Sequence, residues 1–274
     1  MKIFKKIIIV TIGLFLIGCE EVINVDLDTA APQLVIDASI DWKKNTTGNE
    51  QKIKLSTTTG YYSNEFPTVS GATIIVTNTA NTTFNFIETP NTGEYLCNNF
   101  EPVIGETYTL TIALNGQTYT ATETLINAPI IEDTIDQNNK GGFGGDEVEI
   151  TYYFQDNGAQ ENYYLHSFIN PRVAFPEFQV ENDENTQGNR TPVFYSNKDL
   201  KTGDVINIKL YGISKRYFDY FKKLSLASGN GGSPFQTTPA GVRGNIVNQT
   251  NTKNFAYGYF RLCEVDTRDY TIQE

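Results

Sequence analysis

Alternating apolar and polar residues dominate the chain from residue 33 onward. The pattern is clearest at residues 108–114, where Tyr, Leu, Ile and Leu alternate with smaller residues, and it predicts a strand with one buried face. Asn115-Gly116 follows, and the alternation resumes at Tyr119. Because both residues of a tight hairpin turn take a positive φ, this dipeptide predicts a β-hairpin. Comparable patterns predict strands at residues 34–40, 53–57, 73–77, 83–87 and 93–97.

Seven short strands within about 95 residues, separated by turn residues, predict a β-sandwich of the immunoglobulin or fibronectin type over residues 33–128. Many such domains have a tyrosine near the start of the penultimate strand whose hydroxyl bonds back to the main chain. Tyr108, in Gly-Glu-Thr-Tyr, resembles this corner tyrosine. Tyr95 has a similar setting, but only Tyr108 leaves one strand to follow, so we expect Tyr108 to form the corner.

A glycine-rich stretch separates this predicted domain from a second one, residues 129–274. Residues 138–145 read Asn-Asn-Lys-Gly-Gly-Phe-Gly-Gly, which is flexible by composition. A phosphate-binding glycine loop needs a strand before it and a helix after it. Asp146 and Glu147 follow instead, and we expect a linker or a hairpin loop.

The second half also reads as mainly β, with one helix near residues 215–227. Strands are predicted at residues 148–154, 163–169, 193–196, 205–211 and 255–265. Between the last two, Tyr217, Tyr220, Phe221 and Leu224 fall at helical spacing, and Ser214 is suited to cap the helix. We expect this aromatic stripe to pack on the sheet. The predicted fold is an N-terminal β-sandwich followed by a β-rich domain with one helix.

The N-terminal residues have the anatomy of an export signal. Three lysines precede a short apolar run at residues 7–17, about half of the ~20 residues that a membrane-spanning helix needs. The sequence Leu-Ile-Gly-Cys ending at Cys19 resembles the lipobox of bacterial lipoproteins, in which the cysteine receives the lipid. We therefore predict a signal peptide at residues 1–18, lipid attachment at Cys19 and a tether at residues 19–32. The alternative is an uncleaved membrane anchor.

Charge narrows the classes of partner. The net charge is −11, and without residues 1–18 the chain keeps 18 basic and 32 acidic side chains, a net charge of −14. An acidic chain repels nucleic acid and anionic lipid headgroups, so we expect no nucleic-acid partner.

Two cysteines remain beyond Cys19, and the sequence leaves their state open. An exported chain lives in an oxidising compartment, where Cys97 and Cys263 could form a disulfide that links the two predicted domains. The alternative is two separate buried thiols. Sequence alone does not supply the distance that a disulfide requires.

No residue pattern indicates an enzyme, a cofactor or a metal. The one histidine, His166, lies in a predicted strand without a Gly-x-Ser-x-Gly nucleophile motif, and we expect a structural or exposed residue. Residues 183–188 resemble the start of a calcium loop, but the twelfth position, normally a glutamate, is Phe194. We expect a solvated acidic loop there.

Several motifs resemble one family of Bacteroidota outer-membrane lipoproteins that is known as a domain of unknown function. They are Pro-Ala-Gly-Val-Arg-Gly-Asn-Ile at residues 239–246, Ala-Tyr-Gly-Tyr-Phe at residues 256–260, Cys-Glu-Glu at residues 19–21, Val-Asp-Leu at residues 25–27 and Leu-Val-Ile-Asp-Ala at residues 34–38. The resemblance implies an outer-membrane lipoprotein, often encoded beside a SusC-like TonB-dependent receptor, with no catalytic residues to carry over. The two acidic residues after Cys19 favour a surface-exposed location. We expect the closing motif at residues 239–246 to be a structural corner; the alternative is a ligand-contacting loop.

These observations favour a non-enzymatic accessory or substrate-binding lipoprotein that partners a TonB-dependent transporter, with a small-molecule or glycan ligand that the sequence does not identify. The alternative is a surface adhesin or glycan-binding module. A hydrolase that uses a pair of carboxylates is a third hypothesis, for which the sequence singles out no pair.

Overall fold

Fifteen β-strands and one helix make up the part of the chain that the computed structural model describes, which is residues 31–60, 63, 65–229 and 241–274. The strands are β1 (Leu34–Lys43), β2 (Gln51–Thr57), β3 (Thr73–Asn78), β4 (Thr83–Thr89), β5 (Glu94–Cys97), β6 (Thr107–Leu114), β7 (Gln117–Thr124), β8 (Ile131–Gly141), β9 (Glu147–Gln155), β10 (Tyr163–Ile169), β11 (Glu177–Asn182), β12 (Arg190–Asn197), β13 (Val205–Ile213), β14 (Val247–Asn248) and β15 (Tyr257–Thr271); the helix is α1 (Lys215–Ala227).

The first seven strands form the predicted β-sandwich. One sheet has the order β1-β2-β5 and the other β4-β3-β6-β7, all antiparallel, which is the arrangement of a fibronectin-type domain. The last residues of β4 pair with β5, so the two sheets join along this edge. Alternate residues of both sheets meet in one core, which includes Ile36, Ile53, Val76, Phe84, Tyr95, Leu110 and Tyr119. The predicted fold class is confirmed.

Two local predictions in this sandwich are confirmed. Asn115 and Gly116 have φ values of 48° and 72°, and Leu114 pairs with Gln117 across the resulting tight turn. The Tyr108 hydroxyl donates to the Glu101 carbonyl at 2.8 Å and accepts from the Val103 amide at 2.9 Å, as a corner tyrosine does.

A second sandwich follows. The sheet β11-β10-β13-β15 faces the three-stranded sheet β12-β9-β8 across a core that includes Tyr152, Phe154, Phe168, Tyr195, Ile208 and Leu210. The five predicted strands of this half are present. β8, β11 and β14 were not predicted, and β8 runs through the expected linker, so the glycine-rich stretch is the turn of the β8–β9 hairpin and the linker alternative is wrong.

The last strand, β15, belongs to both sandwiches. Its first nine residues pair in parallel with β1, from Val35 opposite Tyr257 to Lys43 opposite Val265, and its last seven pair antiparallel with β13. A single sheet of twelve strands therefore runs through both halves, within one compact unit, Pro32–Glu274. The domain boundary between residues 128 and 129 stays a prediction.

Helix α1 covers the outer face of β10, β13 and β15. The Ser214 side chain caps it by accepting from the Tyr217 amide at 3.2 Å. The rings of Tyr217 and Tyr220 lie 4.9 and 4.8 Å from that of Tyr259 on β15, so the predicted aromatic stripe packs on the sheet. Over the described residues, the helix is neither long nor apolar enough to cross a membrane.

Candidate functional site

An open groove of about 790 Å³ lies beside the C-terminal half of α1. Phe221 and Leu224, one turn apart on the helix, form one wall. The loop between β10 and β11, together with Phe178 on β11, forms the other wall. The rings of Phe178 and Phe221 meet edge-on across the groove at 5.7 Å between centroids. We call this feature the α1–β11 groove.

The α1–β11 groove exposes large apolar side chains. Phe175 is 81% exposed and Phe178 is 46% exposed. Contiguous exposed apolar surface on a folded protein marks a site of interaction with a partner, a ligand or a membrane. Among the described residues that line the groove, Glu177 is the one with a charged side chain. The α1–β11 groove is therefore suited to bind apolar side chains of a partner, with the carboxylate of Glu177 at its side.

The loop that carries Phe175 is held at its base by polar contacts. The Asn170 side chain accepts from the Arg172 amide at 2.8 Å and donates to the Tyr195 hydroxyl at 3.0 Å. The Arg172 guanidinium grips both carboxylate oxygens of Asp204 at 2.7 Å, and these hydrogen bonds lower the pKa of Asp204. Contacts at the base of the loop lower the entropic cost of ordering it when a partner binds.

The single histidine is part of a buried polar chain inside the second sandwich. His166 is 1% exposed. Its Nδ1 meets the Tyr152 hydroxyl, and its Nε2 lies 3.1 Å from Glu181 Oε1 without the alignment of a hydrogen bond. Burial raises the pKa of Tyr152, which keeps this hydroxyl protonated. The histidine thus sits between the two sheets and away from the α1–β11 groove.

The acidic stretch at residues 183–188 differs from the expected solvated loop at one residue, Asp183. Asp183 is buried, and its carboxylate accepts from the amide and the side chain of Asn162 at 2.9 and 3.2 Å. Asp156, also buried, accepts from the Gly188 amide at 2.6 Å. The expectation of a solvated loop holds for Glu184, Asn185, Gln187 and Gly188, which are exposed, and is wrong for Asp183, whose carboxylate ties the loop to Asn162. Within the described ranges, no group of three or more His, Cys, Asp or Glu side chains could hold a metal ion.

Cys97 and Cys263 are both buried and both free. Cys97 lies in the core of the first sandwich, and Cys263 lies beneath α1 in a separate cluster. Burial raises the pKa of both thiols, so neither is a reactive thiolate. The disulfide that the sequence allowed between Cys97 and Cys263 is therefore absent from the structure, which has the alternative, two separate buried thiols.

The described part of the closing motif, residues 241–246, fastens β15. The buried Asn245 side chain donates to the Phe260 carbonyl and accepts from the Phe260 amide, both at 2.8 Å. Gly258 has a φ of 102°, and a Cβ there would lie 1.9 Å from the Ile36 carbonyl oxygen. Only glycine fits such a close backbone approach. The motif is a structural corner, as expected; Pro239 and Ala240 lie outside the described residues.

The predicted lipid-attachment residue, Cys19, lies outside the described residues, as do the predicted signal peptide at residues 1–18 and nearly all of the tether at residues 19–32.

The structure thus defines a mainly β protein of two joined sandwiches with an exposed aromatic groove. The chain belongs to the family described as a domain of unknown function, DUF4249, which matches residues 20–269. A search of curated proteins finds no match.

Two solved structures are similar to parts of the chain. A segment of two fibronectin type-III domains from chicken tenascin is 13% identical, with 66% of this chain and 90% of that chain covered and a TM-score of 0.22. The FN1–FN3 domains of chicken CNTN1 are 12% identical, with 68% and 63% covered and a TM-score of 0.24. At these TM-scores the fold assignment rests on the strand pairing described above.

Proposed function

We propose that the chain is a non-enzymatic accessory lipoprotein of a Bacteroidota outer membrane, which docks on a SusC-like TonB-dependent transporter. The observation that carries the proposal is the α1–β11 groove, an exposed apolar surface whose Phe175 lies on a loop held at its base by Asn170 and Arg172. The lipobox-like sequence that ends at Cys19 supports the membrane anchor in this proposal.

Anchoring at Cys19 would confine the folded body to a membrane surface. A buried acyl chain contributes about 0.8 kcal/mol per CH₂, and a single chain gives only marginal attachment, whereas two or three chains hold firmly. The acidic residues Glu20 and Glu21 support an outward-facing location. A tethered protein meets a transporter in the same membrane at a high effective concentration, so a groove of modest affinity is sufficient.

Co-purification in mild detergent tests the docking. The full-length chain should recover the transporter, and the double variant F175S/F178S should recover at least ten-fold less, because the groove loses both exposed rings. F143S is the matched control, since Phe143 is fully exposed at the β8–β9 turn and lies outside the groove. Recovery of the wild-type chain without any transporter would contradict the proposal.

Metabolic labelling with a fatty acid tests the anchor separately. The wild-type chain should incorporate the label and fractionate with membranes, whereas C19A should do neither. A labelled C19A chain, or an unlabelled wild-type chain released into the medium, would rule out attachment at Cys19.

A further inference from the structure

Strand β11 is an open edge of the twelve-stranded sheet. It pairs antiparallel with β10 along its whole length, from Tyr163 opposite Asn182 to Phe168 opposite Glu177. Within the described ranges no further strand pairs with it. In an antiparallel edge strand, every second residue directs its N–H and C=O away from the neighbouring strand. β11 therefore presents a row of main-chain donors and acceptors to solvent.

This open edge adjoins the α1–β11 groove. Glu177 and Phe178 belong to both, and the Phe178 side chain points toward α1, where it meets Phe221. A strand added beside β11 would lie about 4.8 Å away and would send every second side chain to the α1 side of the sheet. Those side chains would enter the groove, between Phe178 and Leu224. The β11 edge, with its main-chain donors and acceptors, and the α1–β11 groove, with its apolar side chains, thus form one continuous surface.

Three common protections of an edge strand are missing from β11. Edges are commonly guarded by lysine, proline or a bulge. The β11 sequence is Glu-Phe-Gln-Val-Glu-Asn, and its pairing with β10 is regular. By contrast, β12, at the edge of the opposite sheet, carries an exposed Pro192 in its middle. β11 is therefore less protected against the addition of a strand than β12.

Charge selects the kind of strand that fits. The charged residues of β11, Glu177 and Glu181, lie on the face opposite Phe178, where Glu177 accepts from the Tyr195 hydroxyl at 2.7 Å and Glu181 lies 3.1 Å from His166 Nε2. The exposed Glu184 follows two residues after the end of the strand. The chain as a whole is also strongly acidic, with a net charge of −11. A basic segment meets a favourable field along this edge, and an acidic segment is repelled.

We propose that β11 and the α1–β11 groove bind an extended segment of a partner protein as an added β-strand, with apolar residues at alternate positions and Lys or Arg between them. Main-chain hydrogen bonds supply the affinity and the groove selects the side chains. The inference rests on the proposed function, in which this segment belongs to the transporter, and it specifies the mode of docking.

Synthetic peptides test the mode without the transporter. The probe is a pool of fluorescent octapeptides in which Phe, Leu or Val alternates with Lys, titrated with the full-length chain in detergent micelles and read by anisotropy, with empty micelles as background. Methylation of one set of alternate backbone nitrogens should weaken binding at least ten-fold, whereas methylation of the other set should not. Replacing Lys by Glu in the peptides should abolish binding. Equal binding of both methylated sets, or no saturable binding by the pool, would overturn the proposal.

Variants locate the bound peptide. F178S should weaken peptide binding about ten-fold. If F178S fails to fold, F175S takes its place as the test, because Phe175 lies at an exposed loop position, and it should also weaken binding. F143S should bind like the wild type. Hydrogen exchange should show new protection at alternate amides of residues 177–182, and protection confined elsewhere would contradict strand addition.

The two proposals fail in different ways. Peptide binding with this methylation pattern, but no transporter in the co-purification, refutes the proposed function and leaves strand addition standing. Recovery of the transporter together with equal binding of both methylated sets refutes strand addition and leaves the proposed function standing.

Discussion

The side chain of Asn245 takes the place of a strand for one residue of β15. Phe260 directs its N–H and C=O away from β1, and both groups bond to the Asn245 side chain at 2.8 Å. Asn245 is 2% exposed, so water cannot replace it without entering the protein. Substitution of Asn245 with alanine removes the amide nitrogen and the amide oxygen, and leaves the buried N–H and C=O of Phe260 without hydrogen-bond partners.

The expected cost follows from those two groups. Leaving one buried polar group unpaired costs about 1–3 kcal/mol, so N245A should lower the free energy of unfolding by about 2–6 kcal/mol. For a chain of this size, 1 kcal/mol corresponds to a change of about 2–4 °C in Tm. At a loss of about 3 kcal/mol, the Tm should fall by about 6–12 °C.

Differential scanning calorimetry of N245A measures this change. N254A is the matched control, because Asn254 lies in the same segment but is exposed, and its contacts are made by the main chain. The control should unfold within about 1 °C of the wild type, as surface substitutions usually do. If N245A unfolds at the same temperature as N254A, the Phe260 groups have other partners and the structural role assigned to the closing motif is incorrect.

Three further outcomes are expected. Y108F should lower the free energy of unfolding in urea by about 1–3 kcal/mol, because two main-chain groups lose the corner hydroxyl. The hydrogen bonds from Arg172 lower the pKa of Asp204, so this carboxylate stabilises the fold above its ordinary pKa of about 3.9 and the stabilisation is lost as the pH falls through the lower folded value. The Tm difference between wild type and D204N should therefore shrink between about pH 5 and pH 2, and a constant difference would contradict this linkage. Cys97 and Cys263 should resist a thiol reagent until the chain unfolds, and the gel mobility should not change on reduction; rapid labelling of the native chain would argue against their burial.

Local signals in the sequence were sufficient for the first sandwich. The alternation at residues 108–114, the Asn115-Gly116 turn and the Tyr108 corner each depend on residues within about ten positions of one another, so one stretch of sequence contains the whole pattern. Helix α1 was equally visible, because its apolar spacing and its cap lie within one segment.

Other strands gave no such signal. β8 is mostly polar and exposed, with two irregularities in its pairing, so it neither alternates nor looks buried. β11 lies at an edge and has no buried residue, which removes the hydrophobic pattern that identifies a strand. The parallel pairing of β1 with β15 joins distant parts of the chain, and no local rule predicts it.

The sequence predicted only one wall of the candidate site, because only that wall has a readable hydrophobic period. Phe221 and Leu224 were predicted as part of a helical stripe, but their role in the groove depends on Phe175 and Phe178, which lie in a region without a readable period. The sequence contains both walls of the groove, but only folding brings them together.

The shared strand β15 also limits when the two sandwiches can complete their folding. β15 is synthesised after all the other described strands, and β1, the first of them, needs it as its parallel neighbour. Neither sandwich can complete its sheets before β15 has been synthesised, and until then the sheets keep unpaired, aggregation-prone edges. A truncation that removes residues 257–274 would thus leave both sandwiches without one of their strands, and neither half would reach its native state.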